Sequence, residues 1–234
     1  MFRIRIQNKK KCIWYCSAVV SFLLFLLLLG WTNHMANTQD AQQMAGRWSE
    51  KKDVAQISCF FSSKAEVTED TIQSFEYSLK NVLQEASITE TSENPSARLW
   101  VDAYSADGKI TLVNGKNTLD ANAIGIGGDF FMFHPLKLIT GAYFSGNDLM
   151  QDYCIIDQDA AWQLFGSNDV VGMTVYIGNV PHIVTGVVQR PDSRMDKAAG
   201  LNSTVVYVSY ETLSAYGTNN GINHYEIVMP NPVD

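Results

Sequence analysis

Residues 12–31 read CIWYCSAVVSFLLFLLLLGW, twenty consecutive positions without a charged side chain. Arg3, Arg5, Lys9, Lys10 and Lys11 stand immediately before them. At helical rise such a run spans about 30 Å, the hydrocarbon thickness of a bilayer. Eleven of the twenty are Leu, Ile, Val or Phe, each contributing roughly −0.3 to −0.6 kcal/mol near a helix centre, so insertion is favourable. The basic cluster holds the N-terminus in the cytoplasm and sends everything after Trp31 across. The expected organisation is a cytoplasmic N-terminus over 1–11, a transmembrane helix over 12–31 and an extracytoplasmic domain over 32–234. The expected location is the cell membrane, crossed once. A cleaved secretory signal shares this charge order, but its apolar region is about 7–15 residues and ends at a small-x-small site. Here Trp14, Tyr15 and Trp31 flank the core as an interfacial aromatic belt does, and cleavage candidates near Ala36 are weak. The segment reads as a retained anchor.

Working outward, five of the 17 basic residues precede the span and all 24 acidic residues follow it. The remainder therefore carries 12 basic against 24 acidic groups. Such a surface repels phosphates, which excludes nucleic acid as a partner. Cys12 and Cys16 lie in the span, leaving Cys59 and Cys154 beyond it. One potential pair is not a disulfide scaffold, and both read first as small buried hydrophobes. Sequence alone leaves their redox state open.

Residues 33–50 are polar and read as a juxtamembrane helix or tether, and 55–61 as a strand entering the core. Thr68 caps a helix with Glu69 and Asp70 in its first turn. Ile72, Phe75, Leu79, Val82 and Leu83 follow as an apolar stripe, so Phe75 and Leu79 are expected to anchor the helix while Glu69 and Asp70 stay exposed. Residues 91–96, with Pro95, read as a loop. Residues 97–104 and 109–113 read as paired strands about a turn at Asp107 and Gly108, and a second turn at Asn114 and Gly115 leads into 118–126. Two later segments share one grammar. Residues 154–156 run into Asp157 and a short helix stopped by Gly166, and 205–208 run into Ser209 and a helix stopped by Gly217. Between them Gly178 and Asn179 mark a hairpin joining 174–177 to 183–188, and Pro181 places the start of the second strand at an edge. A later strand covers 225–229. Irregular alternation of strands and helices makes the fold class α+β.

Chemistry-bearing patterns are sparse. Gly125, Ile126, Gly127 and Gly128 lack the third glycine of a dinucleotide fingerprint, because Phe130 stands there, and no Walker lysine follows. They read as a flexible turn. His34, His134, His182 and His224 have no i, i+4 partner and no HExxH pattern. Asp157 and Asp159 fit a helix cap and first turn. No serine sits in a GxSxG elbow. No catalytic, cofactor-binding or metal-ligating residue is therefore named, no cofactor is expected, and an enzyme is not expected, although clusters can still assemble from distant positions.

Read in order, Phe130 and Phe131, then Leu136, Leu138, Gly141 and Phe144, then Cys154, Ile155, Ile156 and Asp157 make a phrase. It continues with Ala161, Leu164, Phe165 and Gly166, with Val171, Gly172, Thr174 and Val175, and with Val184, Gly186 and Val187. The phrase resembles the periplasmic core domain of MacB-type ABC transporter permeases, the group that includes FtsX-like and lipoprotein-releasing permeases. One departure is Ala142, where that family commonly carries arginine. The resemblance implies a two-lobed α+β ectodomain without catalysis of its own. It also implies a cytoplasmic ABC ATPase subunit, further transmembrane permease segments and an extracytoplasmic adaptor or substrate as partners.

Two principal functions follow. One is a subunit or fragment of a MacB-like permease, coupling cytoplasmic ATP hydrolysis to export or to extracytoplasmic mechanotransmission. The other is an independent membrane-tethered binding or sensor module on the same domain. An anchored hydrolase with a site built from distant residues stands third. After Trp31 no stretch reaches 18 apolar residues, and one helix cannot enclose a transport route. The chain is therefore expected to be a truncated product or a subunit working with a separate multi-span partner, with a three-span region encoded downstream of Asp234.

Overall fold

The charge-free segment folds, in the computed structural model of this chain, into helix α1, Phe2–Asn37. The structure describes residues 2–37, 40–49, 53–88, 98–190, 194–198 and 203–231. Within α1, Ile13–Met35 is long and apolar enough to cross a membrane, with mean hydropathy 2.3, and every described side chain along it is exposed. The helix itself continues past Trp31 through the polar Thr32, Asn33 and His34. Thr32 Oγ1 donates to the carbonyls of Leu28 and Leu29 at 3.0 Å, satisfying the hydroxyl inside the helix. A 3₁₀ turn, Asp40–Gln43, completes the first compact unit, Met1–Gln43.

The second unit, Met44–Asp234, begins with the short helix α2 (Met44–Trp48), whose Met44 is buried in an apolar core. This part of the polar 33–50 stretch is thus packed rather than a free tether. Strand β1 (Val54–Phe60) follows, then helix α3 (Glu69–Glu85). A long hairpin comes next, β2 (Val101–Asn114) and β3 (Asn117–Gly128), then α4 (Phe130–Phe133) and β4 (Leu138–Gly141). Strand β5 (Tyr153–Asp157) leads into α5 (Gln158–Phe165), and β6 (Thr174–Ile177) pairs with β7 (Val180–Val188). After α6 (Arg194–Ala198), β8 (Val205–Ser209) leads into α7 (Tyr210–Tyr216), and β9 (Thr218–Asn219) and β10 (His224–Pro230) complete the described elements.

The strands form one mixed sheet in the order β1-β10-β2-β3-β8-β5-β7-β4, with β6 bridging β2 and β7. Strands β2, β3, β8, β5, β7 and β6 consequently close on themselves as a ring. Alternate residues of these strands, such as Leu112, Ala121, Ile156, Val187 and Val206, share one core with Leu164 of α5 and Leu213 of α7. The open part, β1-β10-β2, carries an apolar cluster on each face. Val101, Ala103 and Val228 meet α4 on one side, while Tyr225 and Ile227 meet Ile72 of α3 on the other. The two-lobed division implied by the resemblance is here a ring and an open wing within one compact unit.

The two strand–cap–helix segments form as read. Asp157 Oδ1 accepts from Ala160 N–H at 2.7 Å and Ser209 Oγ from Thr212 N–H at 3.1 Å. Gly178 and Asn179 have φ of 57° and 68°, the paired left-handed values of a tight hairpin turn. Pro181 pairs with Tyr176 of β6 ahead of the point where β5 joins β7 at Ile183, so its missing N–H costs no ladder bond there.

Four expectations need correction. Asp107 and Gly108 lie within the continuous strand β2 and form no turn. Gly108 is small for another reason: a Cβ there would come 2.2 Å from the Thr218 carbonyl of β9 and 3.0 Å from Leu213. Gly125, Gly127 and Gly128 likewise close strand β3 instead of making a turn. The buried face of α3 is Ile72 and Leu83 with Leu79 half-buried, whereas Phe75 is 45% exposed and Val82 60%. Phe75 touches the sheet through an edge contact with the Tyr225 ring, and Glu69 and Asp70 are exposed as expected. The strand expected to enter the core, β1, lies at the sheet edge. The 91–96 loop lies outside the described residues.

Candidate functional site

The open wing presents different chemistry on its two faces. On the α3 face a cleft of about 670 Å³ lies between α3 and β2. Glu69 and Glu76 project into it from α3, one helical repeat of seven apart, and Asp102 and Tyr104 from alternate positions of β2. Glu76 and Asp102 share a hydrogen bond. Tyr225 donates to Asp102 Oδ2 at 3.0 Å and Tyr104 to Glu69 Oε1 at 2.9 Å. Arg98 pairs with Asp129 at 2.5 Å beside them. Burial, then the neighbouring Asp102 charge, pushes the Glu76 carboxyl up to about 7. Burial also raises Asp102, against the hydrogen bonds it accepts. Two carboxyls in contact at a half-buried site hold a proton between them near neutrality.

That arrangement has a stability consequence. A carboxyl whose folded pKa is raised favours the folded state below its unfolded value of 4.5, and this contribution is lost as pH rises through about 7. After allowance for solvent screening at a half-exposed group, the loss is about 1–2 kcal/mol. The detergent-solubilised full chain is therefore expected to lose stability between about pH 5 and pH 8, and Glu76→Gln to flatten that slope. Equal slopes for the two proteins in thermal unfolding would show that the pair does not share a proton.

On the opposite face, His224 and Glu226 stand at alternate positions of β10 and so point the same way. His134, the residue that ends α4, meets them there. His134 Nε2 is 2.5 Å from Glu226 Oε2, and His224 Nε2 is 3.8 Å from Oε1. Ser58, directly opposite Glu226 on β1, donates to Oε1 at 2.9 Å. Phe60 stacks on the His224 ring at 4.5 Å, and Phe130 lies 4.6 Å from the His134 ring. Burial lowers the His224 pKa. For Glu226, burial acts upward but is outweighed by His134 and Ser58, leaving its carboxyl below the ordinary range.

His182 is buried, with Nδ1 3.0 Å from the Val180 carbonyl and Nε2 3.1 Å from Thr212 Oγ1. His34 lies in the last turn of α1. Asp159 pairs with Arg190. Cys154 is buried, Cys59 half-buried, and neither is in a disulfide. Ala142 is exposed just beyond β4, its N–H donating to the Thr185 carbonyl. A second cleft, of about 730 Å³, is lined by Ile124, Leu136, Val188 and Tyr207 among others. The convergence of His134 on His224 and Glu226 was not foreseen from sequence. The available signal was the alternation His224-Tyr225-Glu226 at the start of the expected strand 225–229, which the structure extends back to His224, putting two ligand-type side chains on one face.

Comparison with known proteins places the chain in a family. A family model described as MacB-like periplasmic core domain matches residues 19–234. The chain is 32% identical over 99 residues to the macrolide export ATP-binding/permease protein MacB of Chromobacterium violaceum. That stretch is 42% of this chain but 15% of the relative, so the similarity covers a small part of the longer protein. Among solved structures it is similar to the periplasmic region of MacB from Actinobacillus actinomycetemcomitans, at 24% identity and a TM-score of 0.43, covering 59% of this chain and 63% of that one. It is also similar to the extracellular domain of the noncanonic ABC-type transporter YknZ from Gram-positive bacteria. There the identity is 20% and the TM-score 0.45, covering 77% of this chain and 86% of the other.

Proposed function

Since the chain belongs to the MacB-like periplasmic core domain family, we propose that it is a non-catalytic part of an ABC transporter permease. In this reading α1 crosses the membrane with its N-terminus in the cytoplasm, and Met44–Asp234 lies outside the cell membrane. The observation carrying it is the match over 19–234, which takes in most of the apolar stretch Ile13–Met35 together with the whole mixed sheet. The basic residues before the span support that orientation. The domain works by transmitting force: a cytoplasmic ATPase hydrolyses ATP, partner permease segments move, and this unit carries the motion to a substrate or adaptor. Its closed ring of strands suits that role, because a fully packed core passes on displacement with little compression.

The second reading is a membrane-tethered binding or sensor module, and the cleft of about 730 Å³ favours it. One experiment separates the two. The full chain, tagged at its C-terminus, is expressed in its own host, tested for protease access in intact spheroplasts, and then purified in mild detergent. Expected are digestion of the outer unit and co-purification of a protein with ATPase activity. A protected tag would overturn the orientation. An accessible but solitary chain, with no ATPase in the complex, would overturn the permease assignment in favour of the tethered module.

A further inference from the structure

We propose that His134, His224 and Glu226 form a binding site for a divalent transition-metal cation of the zinc class, a role that goes beyond the permease reading and does not depend on it. The three ligand atoms lie within 4.8 Å of one another, close enough that small side-chain adjustments bring all three to about 2 Å from one ion. Two imidazoles and one carboxylate are a zinc donor set that leaves a fourth position open.

Three features distinguish the cluster from an ordinary histidine–carboxylate ion pair. His224 Nε2 is buried without a hydrogen-bond partner, 3.8 Å from Glu226 Oε1, beside the pair of His134 Nε2 and Glu226 Oε2 at 2.5 Å. Buried polar atoms in native folds are nearly always satisfied, so an unpartnered imidazole nitrogen facing a carboxylate that a second imidazole already holds indicates a missing partner. Second, the ligands are held from behind. Ser58 fixes Glu226 Oε1, Phe60 stacks on one imidazole and Phe130 lies against the other. Such outer contacts orient ligands before an ion arrives. Third, the cluster borders a cavity of about 320 Å³ lined also by Asp107, Ser105 and Asn223, giving an ion and its water a way in. Asn223 Oδ1 on that cavity is likewise buried without a hydrogen-bond partner. The three ligands come from the end of α4 and from β10, so a bound ion would clamp the helix to that strand.

The test uses the full chain in detergent, purified without a polyhistidine tag and stripped with a chelator. Zn(II) is titrated in competition with a chromophoric chelator, and Co(II) is added separately for its visible d–d absorption. Expected are one saturable site, a higher melting temperature with Zn(II), and a Co(II) spectrum of low coordination number. His224→Ala should abolish saturation and the thermal gain. Ser58→Ala, which keeps all three ligands, should weaken binding about 10–100-fold. If His224→Ala does not fold, the wild-type Co(II) spectrum and the Ser58→Ala affinity still decide. Absence of saturable binding by wild type overturns the proposal, as does unchanged affinity in both variants.

Discussion

Leu213→Ala is expected to destabilise the Met44–Asp234 unit by about 3–5 kcal/mol, the upper part of the range for a buried leucine. Leu213 is fully buried where α7 meets the ring. Its neighbours there are backbone: a Cβ added to Gly108, Gly125 or Gly217 would come within 3.0, 2.7 or 2.6 Å of its side chain. Glycines have no side chain that can swing into the vacated space, and the closed strand ring resists collapse, so most of the void persists. For a unit of this size the loss corresponds to a fall in Tm of about 10 °C. Phe75→Ala, at a position nearly half exposed, is expected to cost about 1 kcal/mol. Thermal unfolding of both variants beside wild type reads the difference. Similar Tm values for Leu213→Ala and Phe75→Ala would contradict the assignment of Leu213 to the ring core.

How far the sequence was legible depended on whether a residue acted through its neighbours in the chain or through distant ones. The caps at Asp157 and Ser209, the Gly178–Asn179 turn and the apolar span are local devices, and each was readable. The phrase that resembles the permease family also consists of such residues: Leu164 and Val187 in the core, Gly166 and Gly172 at turns with positive φ. It identifies a scaffold. Gly108 was misread because a glycine demanded by the close approach of β9 and α7 looks, in sequence, like a glycine demanded by a turn. The face of α3 was misjudged for a related reason. Five apolar residues allowed a stripe through Phe75 and Val82, but packing against β10 chose Ile72 and Leu79, and Leu83 rather than Val82 is buried near the end of the helix. The histidine cluster could not be assembled from spacing, since His134 and His224 meet only after β10 has taken its place between β1 and β2.

Asp157→Ala is expected to cost about 2–4 kcal/mol, more than a helix cap alone, because this carboxylate serves two elements. Oδ1 caps α5 through Ala160 N–H, and Oδ2 accepts from Val205 N–H at 3.1 Å where β8 begins. Removing the cap costs about 1 kcal/mol, and a buried N–H left without a partner costs about 1–3 kcal/mol more. Asp157 is 2% exposed, so water offers little replacement. Two comparisons isolate the second contribution. Asp157→Asn keeps an oxygen for Ala160 but turns an amide N–H toward the Val205 N–H, so it should restore the cap and not the bridge. Ser209→Ala removes the corresponding cap of α7 and one donor to the Gln151 carbonyl, but Thr212 Oγ1 also donates there at 2.9 Å, so the loss should stay at about 1 kcal/mol. Urea unfolding of the three variants should therefore rank Asp157→Ala as the largest loss, with Asp157→Asn between it and Ser209→Ala. A value for Asp157→Ala no greater than that for Ser209→Ala would mean that the β5–β8 junction holds without the carboxylate, leaving the sheet's own ladder to fix where β8 starts.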